Sequence, residues 1–527
     1  MKKKTKIICT IWPATWTEEK LLELYGAGMN IVRCNFSHKD YEEKKVLADL
    51  VHKLNKSGQT NLTLAIDTKG PELRTGKLSE PLVYAKDEEF VITIDESQNG
   101  VDRKLYCDYP SLVEDISVGD IIKIESGLMD VVVLAKLDDK HIKVKALAGA
   151  TIKSYRHVNL PGVKIKLPGF TDQDREDITF AIANNFDIVF MSFVRNADNL
   201  EEAREFLDTN GGKHMRIFSK IENQEWIDNI DEIIEYSDGV MVARWDLGVE
   251  VPLEKLPVYQ HMIIKKCREA GKPVIMATQL METMMKEPFP TRAEISDVYN
   301  SVIAGVDMIM TSGETALGDY PIRVIEYMTK IALEAETQIS NGFEYESNDS
   351  ENCDDCEDGC CGGSCGCCEE GCECGDCPDC QSAETSEESE EEYEKSMNEY
   401  IQTLIKDHRK TQIAKSAIAL AEDLWAAAFI CFTKRWFIAQ QASNARPNMP
   451  IYAFTDKLDT VKWLNAVYGV EPVLFDFDTK NASMTAIKSL FDKLLLTEED
   501  VVVLYSDSTK NEFHSPSVSV ISVADCL

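Results

Sequence analysis

Arg216-Ile217-Phe218-Ser219-Lys220-Ile221-Glu222-Asn223 begins as an apolar, β-favouring run and ends in charged and amide side chains. Such a run, followed by a helical pattern, reads as a strand that delivers polar groups at its C-terminal end. Working outward, similar runs occur at Lys6–Ile11, Asn30–Asn35, Leu62–Asp67, Asp187–Phe193, Gly239–Ala243, Pro273–Ala277 and Asp307–Thr311. With Arg216–Lys220 they make eight. All but the third lead into helical patterns, among them Glu18–Tyr25, Asp40–Asn55, Leu200–Leu207 and Arg292–Ala304. Eight β/α units predict an α/β fold built on a TIM (β/α)8 barrel.

The rhythm breaks after the third strand. Alternating runs at Phe90–Ile94, Asp120–Ile124, Asp130–Leu137 and Ile142–Ala146, with no convincing helix, predict an inserted all-β lid over 71–167. The barrel is expected over 1–70 and 168–343, its third helix beginning after Asp172. Residues 344–396 lack apolar periodicity and read as an acidic, cysteine-rich insert, disordered or metal-binding. Over 397–527, helical Tyr400–Leu424, Thr460–Tyr468 and Ala482–Leu495 alternate with strand-like Ala427–Phe432, Ile451–Phe454 and Val501–Tyr505. That alternation predicts a C-terminal α/β domain.

Composition narrows the class. The 527 residues carry 91 acidic and 56 basic side chains, a formal charge of −35. That charge argues against nucleic acid or an anionic membrane surface as the main partner. Twenty acidic residues and one basic residue fall between Glu344 and Lys395, so over half of the charge is local. Eleven of 17 cysteines lie between Cys353 and Cys380, and the remaining six look like reduced thiols. Near Met1 the apolar run Ile7 to Trp12 is short and Pro13 ends it, and the longest apolar runs are half a membrane span. A cytoplasmic protein is expected.

Barrel active sites gather at the C-terminal ends of strands. There the chain places Arg33, Asn35, Ser37 and His38; Asp67, Thr68, Lys69 and Arg74; Lys220 and Glu222; Ala243, Arg244, Trp245 and Asp246; Thr278; and Ser312 and Glu314. Singly, each motif is also what a solvated strand end presents. Jointly, several cations beside a few hard oxygen ligands suit transfer of a phosphoryl group around a divalent metal.

At this point Asn35-Phe36-Ser37-His38, Asp67–Glu72, Asn159-Leu160-Pro161-Gly162, Ser219–Glu225, Pro290–Glu294 and Ser312-Gly313-Glu314-Thr315 resemble the pyruvate kinase family over nearly all of residues 5–340. The resemblance implies phosphoryl transfer between phosphoenolpyruvate and ADP, giving pyruvate and ATP. It further implies Mg²⁺ on Glu222 and Asp246, K⁺ on Asn35, Ser37, Asp67 and Thr68, and charge neutralisation by Arg33, Arg74 and Lys220. Thr278, with Ser312 and Glu314 behind it, would stand where the enolate carbon is protonated. Ala243, Arg244, Trp245 and Asp246 would meet the substrate, and the assembly would be a homotetramer.

Tryptophan departs from the family pattern. Trp12, Trp226, Trp245, Trp425 and Trp436 stand where the resemblance places glycine, whereas Trp463 has no glycine counterpart. An indole at 245 obstructs a backbone approach to substrate. Repeated replacement of one residue type by another points to UGA codons read as glycine in the source. UGG at 12, 226 and 245 would contradict that. With Trp245 genuine, the alternative is an inactive family member serving as a binding or metal-buffering protein. The C-terminal loop Thr433-Lys434-Arg435-Trp436 lacks the hydroxyl and glycine residues of a phosphate cradle, which makes activation by fructose 1,6-bisphosphate doubtful.

The insert has no place in the family pattern. Its thiols are Cys353, Cys356, Cys360, Cys361, Cys365, Cys367, Cys368, Cys372, Cys374, Cys377 and Cys380. Dense CxxC, CC and CxC spacing resembles metallothionein-like clusters holding Zn²⁺ or Cu⁺; a reduced acidic spacer is the plainer alternative.

Overall fold

A computed structural model describes residues 3–37, 40–125, 127–340, 408–477, 481–510 and 513–527. Eight parallel strands close a barrel: β1 (Lys6–Thr10), β2 (Ile31–Asn35), β3 (Thr63–Asp67), β4 (Ile188–Met191), β5 (Arg216–Ile221), β6 (Gly239–Ala243), β7 (Val274–Ala277) and β8 (Met308–Thr311). Each pairs with its sequence neighbour. β1 closes on β8 with Lys6 opposite Met308. Nearly every strand residue is buried, as expected where helices cover the outside and side chains fill the inside.

Local chemistry starts the helices that surround it. Thr17 Oγ1 accepts from Lys20 N before helix Glu18–Ala27. Thr171 and Thr291 form reciprocal capping boxes before Asp172–Ala183 and Arg292–Ile303. The 12-residue helix at Asp172 is thus signalled by Thr171 and Asp174 as well as by its position in the chain.

The chain between β3 and helix Asp172–Ala183 forms a seven-stranded sheet and a two-stranded one over a separate apolar core that includes Tyr84, Ile122, Val131 and Val144. Five of these strands, Leu73–Arg74, Leu82–Tyr84, Leu105–Tyr106, Ala150–Ile152 and His157–Asn159, are too short for alternation to announce them. The expectation of no helix there is corrected by one turn at Leu112–Asp115.

The C-terminal sheet has five strands, in the order Val470–Leu474, Ile451–Thr455, Ala428–Phe432, Val501–Lys510, Phe513–Ser522, the last antiparallel. Sequence patterning indicates three of them. Both unforeseen strands are edges, and both carry a proline, Pro472 and Pro516. Proline demotes a strand reading in sequence, yet it is tolerated at an edge, where its missing N–H has no partner to serve. Helix Phe437–Asn444 was also unmarked by the pattern.

At the barrel's N-terminal end this domain is tied in by buried lysines donating to carbonyls: Lys462 to Leu62 O and Lys6 to Val470 O, each at 2.7 Å. Among the described residues no helix is long and apolar enough to cross a membrane. The cysteine cluster of the insert lies outside the described residues.

Candidate functional site

The polar residues gather where β2, β3, β4, β5 and β6 end. Lys220 leaves β5 into the barrel mouth, and its Nζ lies 3.1 Å from Asp67 Oδ1, 2.8 Å from Glu222 Oε1 and 2.7 Å from Ser192 Oγ. Asp67 is held from its other side by Arg33, whose Nε donates at 2.7 Å. Arg33 Nη1 donates to Thr10 Oγ1 at 2.6 Å. Phe193 N donates to Glu222 Oε2 at 2.7 Å.

These charges are buried together, so their titration is shifted. Burial opposes ionisation of Asp67, but Arg33 and Lys220 outweigh it and hold its carboxyl below the usual range. Burial also disfavours charge on Lys220, yet Asp67, Glu222 and Asp246 keep its ammonium protonated far above neutral pH. Asp246 is pushed up to about 7, by burial first and by the Glu222 carboxylate next. Glu222 is raised mainly by burial, against the pull of Lys220. One ammonium therefore sits among more carboxylate than it can neutralise.

Beside this cluster opens a cavity of about 460 Å³, whose walls include Arg33, Asn35, Trp245, Asp246, Thr278 and Ser312. At its floor Glu314 accepts from Ser312 N at 2.7 Å, and burial raises its pKa. Thr278 directly follows β7 in an unusual state: its φ is +65° and that of Gln279 is +53°. Its Oγ1 donates to Ala277 O at 2.7 Å and accepts from Trp245 N at 3.0 Å.

Arg74 and Arg244 lie apart from that wall. Arg74, on the lid strand Leu73–Arg74, donates to Glu72 Oε2 at 2.6 and 2.9 Å and to Tyr155 O at 3.0 Å. Arg244, just past Ala243 at the end of β6, directs its guanidinium away from the cavity, to Asp297 and to the carbonyls of Ala277 and Thr278. Asn35 stands opposite Asp67 across β2 and β3, with Ser37 N donating to Asn35 Oδ1 at 3.0 Å. Thr68 Oγ1 accepts from Ser192 N at 3.1 Å. His38 lies outside the described residues.

Two participants escape sequence reasoning. Ser192 follows β4 directly and carried the same strand-end signal as the others, so it was findable. Asp297 sits inside helix Arg292–Ile303, where no strand end points to it.

The tryptophans have varied surroundings. Trp245 is 41% exposed on the cavity wall. Trp226 is fully buried, and its Nε1 has no hydrogen-bond partner. Trp425 is 93% exposed at φ +53°, in the left-handed turn just after the helix that ends at 423. Ala426 N there donates to Ala421 O, the closing bond of a Schellman motif, whose left-handed position favours glycine. Trp436 and Trp463 flank Arg216, which lies 5.1 and 5.3 Å from their ring centroids.

An all-oxygen pair, Glu222 and Asp246, fits a hard divalent ion, because Mg²⁺ is commonly held by one or two carboxylates plus substrate phosphate. Burial first, and for Asp246 the Glu222 carboxylate next, disfavour charge on these two carboxyls, and a bound dication would favour it. Among the described residues no group of three or more His, Cys, Asp or Glu side chains is arranged to hold a metal. Asn35, Ser37, Asp67 and Thr68 supply oxygen donors only and one formal charge, a set that suits a monovalent cation.

Comparison with known proteins places these features in a family context. The pyruvate kinase barrel-domain model matches residues 2–325, and the pyruvate kinase alpha/beta-domain model matches 411–521. A pyruvate kinase of Geobacillus stearothermophilus is 45% identical over 346 residues, 65% of this chain and 58% of that protein. This chain therefore spans less than two thirds of that relative's length in the match. A pyruvate kinase of Clostridium acetobutylicum is 34% identical over 525 residues, covering 99% of this chain and 100% of that protein. The crystal structure of a pyruvate kinase from Cryptosporidium parvum superposes with a TM-score of 0.80 at 30% identity, covering 98% of this chain and 96% of that one.

Proposed function

The chain belongs to the pyruvate kinase family, and from that premise we propose that it transfers the phosphoryl group of phosphoenolpyruvate to ADP. The observation that carries the reading is the buried Lys220, flanked by Asp67 and Glu222 beside an open cavity. In the reaction the bond between phosphorus and the enol oxygen breaks, and a bond from phosphorus to a terminal ADP oxygen forms. The enolate left behind takes one proton at carbon, giving pyruvate and ATP.

Charge gathers on the transferring oxygens and on the enolate oxygen as the first bond breaks. Lys220 remains protonated in its buried setting and meets that charge without reorganisation, the kind of preorganised stabilisation that dominates phosphoryl transfer. Arg33, fixed by Asp67 and Thr10, presents a second cation at the cavity wall. Thr278 holds a hydroxyl on the wall for delivery of the proton, directly or through water. The β-domain between β3 and β4 is the lid that excludes water. Glu222 and Asp246 would hold Mg²⁺, which when bound neutralises phosphoryl oxygens, and Asn35, Ser37, Asp67 and Thr68 would hold K⁺, a fixed positive charge. Homotetramer assembly and a cytoplasmic location follow the family expectation.

A coupled assay with phosphoenolpyruvate, ADP and Mg²⁺, with and without K⁺, tests this on the chain as given and on W245G. Absence of turnover above background in both rejects it. For the insert we propose soft-metal binding, supported by its cysteine spacing alone. Native mass spectrometry with and without a chelator should show stoichiometric Zn²⁺ or Cu⁺; finding none rejects the cluster.

A further inference from the structure

Thr278 and Gln279 are consecutive non-glycine residues with φ of +65° and +53°, directly at the cavity. A β-branched residue in the left-handed region is a genuine outlier. Strain of this kind persists only where surrounding structure over-determines it. The bonds that over-determine it come from Arg244. Its Nη2 donates to Thr278 O at 2.5 Å and its Nε to the same oxygen at 3.2 Å, with Ala277 O at 3.3 Å. Arg244 is itself buried, and its Nη1 lies 2.8 and 2.7 Å from the two oxygens of Asp297.

We propose that Asp297 is a positioning residue, which through Arg244 clamps the Thr278 carbonyl and so keeps the Thr278 hydroxyl on the cavity wall. The proposal rests on the phosphotransferase reading for the role given to that hydroxyl, and on geometry alone for the clamp. The guanidinium is planar, and its Nη1 is committed to the carboxylate, so Nε and Nη2 are aimed at one carbonyl oxygen. That fixes the peptide after Thr278. Trp245 N, in the same turn as Arg244, then fixes the hydroxyl at 3.0 Å. Backbone and side chain of Thr278 are thus held from one short segment of the β6 end, which Asp297 anchors from the helix after β7.

Two measurements test it. In D297A the guanidinium loses its anchor. Turnover should fall about 10- to 100-fold, the cost of a catalytic group displaced by about 1 Å, with KM for phosphoenolpyruvate changed less than about twofold. Exchange of pyruvate methyl hydrogens with D₂O, which reports the proton step alone, should fall in parallel. D297E, which restores the charge, should recover part of both; D297N serves in its place if the alanine protein does not fold. Crystal structures of the same variants should show Thr278 relaxed to negative φ. Unchanged turnover and exchange, or Thr278 still near φ +65° in the variant, overturns the proposal. If the parent protein and W245G show no turnover, the phosphotransferase reading fails, and the Thr278 φ of the variant still decides the clamp.

Discussion

The two ends of the barrel bury charge in opposite ways. At the C-terminal end Lys220 faces Asp67 and Glu222, with Asp246 close by, and the carboxylates repel one another beside an open cavity. At the N-terminal end Lys462, Lys6 and Lys4 each donate to a carbonyl, of Leu62, Val470 and Pro447, and Arg446 pairs with Asp307 at 3.1 Å. Burial is similar, but the balance is not. At one end a single ammonium is shared by Asp67 and Glu222; at the other each cation has an acceptor of its own. On the proposed reading, stability and chemistry are kept at separate ends, as in barrel enzymes generally.

The largest break in this comparison should come from K220M. Removing the one ammonium that meets the developing charge should lower turnover by about three orders of magnitude, with circular dichroism unchanged. A variant retaining a tenth of parental turnover would strip Lys220 of its role. Next comes W245G, expected to raise turnover at least about tenfold by opening the backbone to substrate; unchanged kinetics would mean the indole is no obstacle.

At the other end, K462M should do the reverse of K220M. It removes a buried hydrogen bond from a charged donor to the Leu62 carbonyl, which keeps only Asn55 Nδ2 at 2.8 Å, and should cost about 1–3 kcal/mol of stability by denaturant titration, while turnover per folded molecule stays constant. A fall in turnover at unchanged stability would show that the two ends are not separate. The smallest effect belongs to W425G. A left-handed non-glycine residue costs about 1–2 kcal/mol, so glycine there should raise the unfolding midpoint without touching kinetics, and a lowered midpoint would contradict the Schellman argument.

The barrel was legible because each strand is a buried apolar run with a polar terminus, a signal that needs no partner to be read. The lid strands were legible only from four residues upward, since Leu105–Tyr106 or His157–Asn159 cannot display a period. Pro472 and Pro516 hid two edge strands for a reason that becomes visible only once the sheet order is known. In the site, the grouping of Lys220, Asp67, Glu222 and Asp246 follows from their places at strand ends. What each side chain is bonded to does not: Arg244 looks like a substrate contact in sequence, whereas its partner Asp297 sits 53 residues away on an outer helix. Arg74 looks equally free and is held by Glu72.

The closure of β1 on β8 has a consequence for synthesis. Lys6 cannot find Met308 until some 300 residues have left the ribosome, and Gly469 N, which donates to Lys4 O at 3.0 Å, comes later still. At roughly 5–20 residues per second, the first strand waits on the order of a quarter of a minute to a minute with one edge unpaired. During that interval Ile7, Ile8 and Cys9, wholly buried in the finished protein, form an open apolar edge of the kind that invites pairing with other chains. The nascent chain therefore depends on whatever shields that edge until β8 arrives.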